Sequence, residues 1–150
     1  MKMTDAIDQF IAAVESAGFT GSGVFADDAL LDVTIPDWRF TVRGADAICR
    51  ELAAWLPGRT NIDEIHRFAM SGGEAVELSL SWEAARIPYA CHQLHLIRIK
   101  DGLIAEDKAW CGGHWPADLL AEMAGADSHL SVSTGATRAV ERNRSSRVLA

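Results

Sequence analysis

The sequence predicts an α+β fold: a cone-shaped, curved antiparallel sheet with helices packed on its concave face. Three observations lead to this prediction. Apolar residues recur at helical spacing in two segments of the first 60 residues. From residue 61 to residue 111 the apolar period drops to two. Turn-forming residues interrupt that extended region, as in a sheet of hairpins, and helices followed by a run of strands are typical of an α+β domain.

The length and composition predict one domain with a flexible tail. The chain has 150 residues, of which 49% are apolar and 23% charged, enough to build one hydrophobic core. We assign residues 1–124 to the domain. Residues 125–150 are rich in Ser, Thr, Gly and Arg without a sustained period, so we expect a flexible C-terminal tail, with a short helix near residues 137–144 as the alternative.

Charge and cysteine content narrow the class of protein. A formal net charge of −7 argues against nucleic acid as a partner, because phosphates require a concentrated basic surface. The N-terminal segment carries charges every few residues, and no window approaches a membrane-spanning length, so we expect no membrane partner and a cytoplasmic location. Three widely spaced cysteines favour reduced thiols in the core over disulfides: Cys49, Cys91 and Cys111.

Two helices and two short strands are predicted in the first 60 residues. The first helix has one apolar face and stops near Gly18; this face comprises Ile7, Phe10, Ile11 and Val14. Residues 21–29 are predicted as a turn or a single helical turn. Residues 30–44 are β-branched and aromatic, so we expect two short strands with a bend at Pro36. Residues 45–58 return to helical spacing.

Residues 61–111 are predicted to hold three long extended segments. Turn signals lie at 71–73, around Pro88 and at 100–102. In the middle segment, residues 76–83 alternate between apolar and polar side chains, as in a strand with one buried face. The segment at 91–99 is apolar on both faces towards its end, as expected of a central strand. Pro116 is predicted to begin a short terminal helix.

Two stretches carry a family resemblance. "FADDALLDVTIPDWRFTVRGADAICREL" at 25–52, followed by "IKDGLIAEDKAW" at 99–110, resembles the nuclear transport factor 2-like superfamily, in particular its SnoaL-like branch, which includes polyketide cyclases and ketosteroid isomerase-like proteins. The resemblance covers residues 4–115. It implies a cystatin-like cone with a small-molecule pocket. That pocket is shared by isomerases, cyclases, epoxide hydrolases, dehydratases and non-catalytic binders, so the resemblance implies a fold more narrowly than a chemistry.

Four residues are candidates for acid/base chemistry. By resemblance, Asp32 matches the general base of the ketosteroid isomerase branch, and burial in its apolar strand without a cation beside it would raise its pKa. His66 and His95 are candidate partners. His66 is equally compatible with a histidine hydrogen-bonded at a strand edge, and for His95 a hydrogen-bonded core histidine is the slightly favoured interpretation. Asp107 lies on the last strand beside small residues that leave room for a ligand or a dimer partner. Residues 4–17 lack the tyrosine of the isomerase branch.

Aromatic residues on the extended segments predict the walls of the pocket. The candidate substrate-binding residues are Trp38, Phe68, Trp82, Tyr89 and Trp110, although core filling explains each one equally well. We therefore expect an enzyme that isomerises, cyclises or dehydrates a small apolar carbonyl compound without a cofactor. The alternative is a non-catalytic small-molecule binding or dimerisation module of the same fold.

The sequence does not predict a metal site. Cys111 and His114 have a Cys-x-x-His spacing, and His92 and His95 lie nearby in sequence. Residues three apart on a strand point to opposite faces, so His92 and His95 cannot bind one ion without a bulge. We interpret Cys111 as a small buried thiol before a Gly-Gly turn.

The assembly predicted from the sequence is a homodimer. One face of the middle strand is polar, whereas the segment at 91–99 is apolar on both sides, so part of the outer sheet face is poorly suited to water. The family resemblance also implies a two-fold dimer through the sheet.

Overall fold

The computed structural model describes residues 3–56 and 58–128, which form three helices and seven strands. The helices and strands follow in the order α1 (Met3–Ser16), β1 (Phe25–Ile35), β2 (Trp38–Arg43), α2 (Ala45–Trp55), β3 (Asn61–Met70), β4 (Gly73–Ala84), β5 (Ile87–Lys100), β6 (Leu103–Cys111), β7 (Trp115–Pro116) and α3 (Ala117–Ser128). None of the helices in this part of the chain combines the length and the apolar character that crossing a membrane requires.

The strands form one curved, unclosed sheet. Their order is β2-β1-β6-β5-β4-β3, and β7 pairs with β5. All neighbours are antiparallel except β1 and β6, which run parallel. The α+β fold with a curved sheet is therefore confirmed, but the sheet is mixed where the sequence predicted a purely antiparallel one. Sequence spacing shows which strands form hairpins, whereas the pairing of β1 with β6 joins distant parts of the chain.

The hydrophobic core lies on one face of the sheet, which we call the inner face. Helix α1 packs against β5 and β6, and α2 packs against β1 and β2. Alternate residues of the central strands are buried under these helices, including Leu31, Leu78 and Ile97, which are fully buried. Period-two burial of this kind is expected when one face of a sheet is covered and the other meets water.

The predicted helical faces are confirmed. In α1, Ile7, Phe10 and Val14 are buried and Ile11 is half-buried against the core. The ring of Phe10 packs edge-on against those of Phe19 and Phe25, with ring centroids 5.6 Å and 6.4 Å apart. Aromatic contacts of this geometry fix α1 to the start of β1.

Two boundaries differ from the sequence prediction. Residues 21–29 were expected to form a turn, but β1 begins at Phe25, where Phe25 pairs with Ile104 before a register shift leads to Leu30. Residues 61–111 hold four strands, not three extended segments. The three predicted turn signals delimit four segments, and the one around Pro88 corresponds to the turn at Ala85 and Arg86, which have positive φ angles of 50° and 65°.

The C-terminal part of the described chain runs past the predicted domain boundary. Trp115 and Pro116 pair with β5, and α3 then continues to Ser128. The predicted terminal helix after Pro116 is therefore confirmed. Most of the predicted tail, and the alternative helix at 137–144, lie outside the described residues.

An ion-pair network ties α1 to the edge of the sheet. Arg67 on β3 donates to Glu74 at 2.7 and 3.0 Å and to Asp8 of α1 at 2.7 Å. Hydrogen bonds from the guanidinium to Glu74 raise the pKa of Arg67 above its ordinary value. A planar guanidinium held by two carboxylates fixes the helix in register with the strand below it.

Candidate functional site

A buried chain of polar side chains crosses the inner face between β5 and β6. Nδ1 of His95 lies 2.9 Å from Oδ2 and 3.1 Å from Oδ1 of Asp107, and its Nε2 lies 3.0 Å from Oε1 of Gln93. His95 and Gln93 are two residues apart on β5, so their side chains point to the same face. Asp107, on β6, is opposite Ile97 of β5 and so shares that face. The side chains of His95 and Asp107 are 1% and 0% exposed.

The hydrogen bonds show how this pair is held. Gln93 presents its amide oxygen to Nε2 of His95 and turns its amide nitrogen away towards the cysteines. An amide oxygen only accepts, and the other ring nitrogen, Nδ1, faces the carboxylate of Asp107. Both ring nitrogens therefore face acceptors, the pattern that an imidazolium makes beside a carboxylate counter-ion. Desolvating two ions costs on the order of several kcal/mol each, so a buried pair of this kind does not arise for stability alone.

Helix α1 covers the pair. The ring of Phe10 packs edge-on against the imidazole of His95, with centroids 5.1 Å apart. Both side chains are fully buried. The pair is therefore enclosed between the sheet and α1.

Two thiols continue the polar chain. The amide nitrogen of Gln93 donates to Sγ of Cys91 at 3.6 Å and to Sγ of Cys111 at 3.8 Å. A hydrogen bond from Cys91 lowers the pKa of Cys111 to about 6, with further help from the backbone N–H of Gly113 and the charge of His95. The same contact and burial raise the pKa of Cys91. Both cysteines, like Cys49, are free and buried as the sequence predicted.

His114 lies beside these thiols, at the end of the sheet where β4 turns into β5. The ligand atoms of Cys91, Cys111 and His114 lie within 4.8 Å of one another. The imidazole packs edge-on against Trp82 at 4.8 Å between centroids, and desolvation there lowers the pKa of His114. These three residues could hold a metal ion. His92, in contrast, is exposed on the other face and bonded to Ser79, as the strand geometry predicted.

Asp32 does not join this site. It alternates with the buried Leu31 and Val33, so it faces away from the helices, on the outer face of the sheet. Nε and Nη2 of Arg39 donate to its two oxygens at 3.0 and 2.7 Å. These bonds hold the pKa of Asp32 below its ordinary value, outweighing a small effect of desolvation. Burial without a cation, the condition under which this pKa would rise, is not what the structure has, because the hairpin places Arg39, opposite Thr34, within reach of Asp32.

His66 also lies on the outer face. It pairs with Glu77, whereas its neighbour Arg67 pairs with Val76 on the inner face. His66 and Phe68 are exposed, Phe68 by 57%. The structure therefore brings together two of the four acid/base candidates, His95 and Asp107, and separates Asp32 and His66 from them.

The predicted aromatic residues divide in the same way. Trp82 and Tyr89 stack on the inner face, with centroids 5.8 Å apart and planes at 10°. Trp38 is 67% exposed at the start of β2. Trp110 is exposed and is opposite Leu94, on the face away from His95. Of the five candidate wall residues, Trp82 and Tyr89 pack beside the buried pair, whereas Trp38, which is opposite Ile35 and so shares the inner face by register, is largely exposed at the edge of the sheet.

Sequence reasoning missed three residues of the site. Gln93 and Cys91 share the inner face with His95 because they lie two and four residues before it on one strand. The period-two pattern in "CHQLH" is the signal that places Cys91, Gln93 and His95 on one face, and the sequence argument applied it to the histidines alone. Phe10 was recognised as a core residue, but its position over His95 depends on how α1 crosses the sheet.

Comparisons with known proteins identify the fold. No family model and no curated protein sequence matches this chain. Among solved structures, a protein of unknown function with a cystatin-like fold from Xanthomonas campestris is similar, with a TM-score of 0.57 and 21% identity over 81% of this chain and 95% of that one. An epoxide hydrolase of the LEH-like type from M. tuberculosis has a TM-score of 0.55 and 17% identity, over 71% of this chain and 80% of that chain.

A third solved structure is also similar to this chain. It is an NTF2-like protein from Burkholderia xenovorans, with a TM-score of 0.56 and 14% identity over 72% of this chain and 87% of that chain. At these identities the similarity establishes the fold, and the predicted nuclear transport factor 2-like, cystatin-like architecture is confirmed.

Proposed function

We propose that this chain, which has the fold of the nuclear transport factor 2-like proteins, is a SnoaL-like enzyme. Its chemistry would be acid/base isomerisation, cyclisation or dehydration of a small apolar carbonyl compound. The observation that carries the proposal is the buried His95–Asp107 pair on the inner face, held by Gln93 and enclosed by α1. A buried, charged pair that stability alone does not explain is a candidate functional site.

The geometry assigns complementary roles to the pair. As an imidazolium, His95 can donate a proton to an oxygen that becomes negative during the reaction, and the neutral ring can then accept a proton from carbon. Asp107 would stabilise the charged ring and hold its orientation through Nδ1. Gln93 would keep Nε2 aligned until substrate replaces its amide oxygen. All three roles are performed by side chains of this chain, without a cofactor.

One exposed end of the inner face supports access for a ligand. Ile65 on β3 is opposite Leu78, which is opposite Gln93, so these three residues form one row across the inner face. Ile65 is 40% exposed, whereas Leu78 and Gln93 are buried. An apolar compound entering over Ile65 would reach Gln93 and His95 once the side chains that cover Leu78 and the ring of Phe10 move aside.

The rest of the site suits an apolar ligand. The stacked Trp82 and Tyr89 form a flat aromatic wall at the end of the same face. Among solved structures of this fold, the M. tuberculosis protein is an epoxide hydrolase, which supports a small-molecule enzyme in general and not one particular reaction.

The test is a ligand screen followed by turnover. We would titrate the protein with a panel of hydrophobic ketones, enones and lactones by tryptophan fluorescence, and then follow each bound compound by chromatography. Wild-type protein should convert at least one of them. The His95→Gln variant keeps a hydrogen-bonding side chain but loses the titratable proton, so turnover should fall by about two to four orders of magnitude while binding persists.

A second candidate is a small-molecule binding module of the same fold. The observation that favours it is the contact between Phe10 and His95, which closes the pair off in this structure. Tight binding of several compounds with no turnover of any, and equal binding by His95→Gln, would favour the module over the enzyme.

We also propose a homodimer through the outer face of the sheet. Phe68 and Trp110 are exposed there, and Leu94 lies between them across the strands, half-buried. A two-fold contact would remove these apolar groups from water. Light scattering should give twice the monomer mass at tens of micromolar, a concentration range typical of weak association. Phe68→Glu should shift the equilibrium to monomer, and a wild-type monomer at that concentration would refute the proposal.

A further inference from the structure

The cluster of two thiols and one imidazole beside the buried pair has no part in the acid/base chemistry. We propose that Cys91, Cys111 and His114 form a binding site for a thiophilic divalent cation, with zinc as the reference ion. The site would provide three protein ligands and leave one coordination position open. This inference goes beyond the proposed function and does not depend on it.

The fold places the three ligands from separate segments. Cys91 lies on β5, and Cys111 ends β6 opposite Gln93, so the two thiols are diagonal neighbours on the inner face. His114 then returns to them through a Gly-Gly turn. Gly112 donates its N–H to the carbonyl of His92 at 3.0 Å, and a Cβ at this position would lie 2.9 Å from the ring of Trp115. Gly113 has a φ of +109°, which side chains rarely adopt.

The distances between the three ligand atoms are close to those found around a coordinated ion. The three ligand atoms lie within 4.8 Å of one another. Tetrahedral zinc, with sulfur at about 2.3 Å and nitrogen at about 2.0–2.1 Å, needs ligand atoms roughly 3.4–3.8 Å apart. Because no two ligand atoms are more than 4.8 Å apart, closing the cluster requires any pair to approach by at most about 1.4 Å. His114 is on the exposed side and can make that movement without disturbing the buried thiols.

The groups around the three ligands are arranged like the outer shell of a metal site, in which hydrogen bonds orient the ligands. The amide nitrogen of Gln93 points at both sulfurs, and the backbone N–H of Gly113 bonds Sγ of Cys111. N–H donors stabilise thiolates, the form in which cysteine binds metals. The oxygen of Gln93 is fixed in turn by His95, and the ring of His114 is oriented by Trp82. These contacts hold the ligands near one another before an ion arrives.

The donor set selects the class of ion. Two sulfurs and one imidazole favour zinc or similar thiophilic ions over magnesium and calcium, which prefer oxygen ligands. The exposed side of His114 leaves space for water or an exogenous ligand in the fourth position. The competing use of the two thiols is a disulfide between Cys91 and Cys111, which would remove the site.

Cobalt titration of the full-length protein tests the proposal. Reduced, metal-free protein titrated with Co²⁺ should bind one equivalent, with a thiolate-to-metal charge-transfer band and the intense visible bands of tetrahedral cobalt. Zn²⁺ should displace it. Cys111→Ser and His114→Ala should each weaken binding by at least about a hundredfold, more than the 10- to 100-fold typical of losing an outer-shell group. His114 is exposed, so its variant should fold even if the buried cysteine variant does not.

Two matched controls make the result specific. Cys49→Ser removes a buried thiol that does not belong to the cluster, and His92→Ala removes an imidazole from the opposite face. Both should bind Co²⁺ as wild type does, within about a factor of three. The proposal is overturned if wild type gives no charge-transfer band, if His114→Ala binds as tightly as wild type, or if Cys49→Ser loses binding as Cys111→Ser does. Formation of a Cys91–Cys111 disulfide in preference to the complex, with Zn²⁺ present, would also overturn it.

Discussion

Two aspartates on neighbouring strands have opposite environments. Leu31 of β1 is opposite Asp107 of β6, so Asp32 lies one residue further along and faces the other side of the sheet. The side chain of Asp32 is 13% exposed and pairs with Arg39, which is 69% exposed. Asp107 is fully buried and pairs with a buried histidine. A one-residue offset thus separates an outer-face ion pair from the candidate site.

This difference shows that residue type alone does not identify the acid/base group. An arginine stays protonated across the accessible pH range, so the carboxylate bonded to it is held as a permanent anion. A histidine can donate and accept protons, so a carboxylate bonded to it can orient and stabilise the ring during proton transfer. The face of the strand decides which of these two partners an aspartate has.

The largest difference is expected in stability. Asp107→Ala leaves His95 charged and unpaired in the core, which should cost about 3–5 kcal/mol of unfolding free energy. Asp32→Ala should change the urea midpoint little, because its partner is exposed and screened. Urea unfolding followed by circular dichroism measures both. Replacing both members of the inner pair, as in Asp107→Leu with His95→Leu, should recover most of the loss, because no charge is then left buried. Equal midpoints for the two alanine variants would contradict the assigned environments.

Opening the inner face should have a smaller effect. Phe10→Leu removes the ring that packs on His95 but keeps an apolar side chain, so we expect a loss of about 1–2 kcal/mol from imperfect packing. The variant should bind apolar ligands more tightly than wild type, because less rearrangement is needed to reach His95. Fluorescence titration and thermal unfolding check the two parts. Weaker binding together with the same loss of stability would mean that Phe10 is a wall of the site and not its cover.

The two arginines extend the comparison to ion pairs. Arg67 joins α1 to β3 and β4 through two carboxylates, whereas Arg39 pairs with one across a hairpin. Arg67→Met should therefore cost about 1 kcal/mol after allowing for its partial exposure, and Arg39→Met should have a smaller effect. Unfolding at low and high salt gives both values, and the loss at Arg67 should shrink as salt rises. A larger loss at Arg39 would contradict the assigned difference.

The smallest effect is a pH dependence at Asp32. Because Arg39 lowers its pKa in the folded state, Asp32 contributes stability that is present above its unfolded value of 3.8. That contribution is lost as the pH falls through the lower folded value. The difference in unfolding midpoint between wild type and Asp32→Asn should be constant above pH 5 and should disappear in acid. A difference that grows as the pH falls would reverse the sign of the assigned shift.

The fold was more predictable than the site because it depends on patterns along the chain. Helical spacing in α1 and alternation in β4 identify which side chains are buried without knowing their partners. The turn at Ala85 and Arg86 has no glycine to mark it, so the signal around Pro88 located it only to within two or three residues. The parallel pairing of β1 with β6 joins residues about 75 positions apart, which no local pattern encodes.

The site depends on facts that only the folded sheet supplies. His95 and Asp107 were both identified as candidates, but their pairing requires the register between β5 and β6. Asp32 was placed at the pocket by resemblance, and Arg39 was not considered as its partner. For the metal ligands, the sequence argument that separates His92 from His95 is correct. The same argument did not include Cys91, which lies on the inner face, or the Gly-Gly turn that brings His114 close to it.

The most direct test of the account compares the same substitution on the two faces. Asp107→Asn and Asp32→Asn each replace a carboxylate with an amide of the same shape. On any compound that wild type binds and converts, Asp107→Asn should lower turnover by about two to four orders of magnitude, and Asp32→Asn should leave it unchanged. Loss of turnover in Asp32→Asn with normal turnover in Asp107→Asn would contradict the assignment of the site to the inner face.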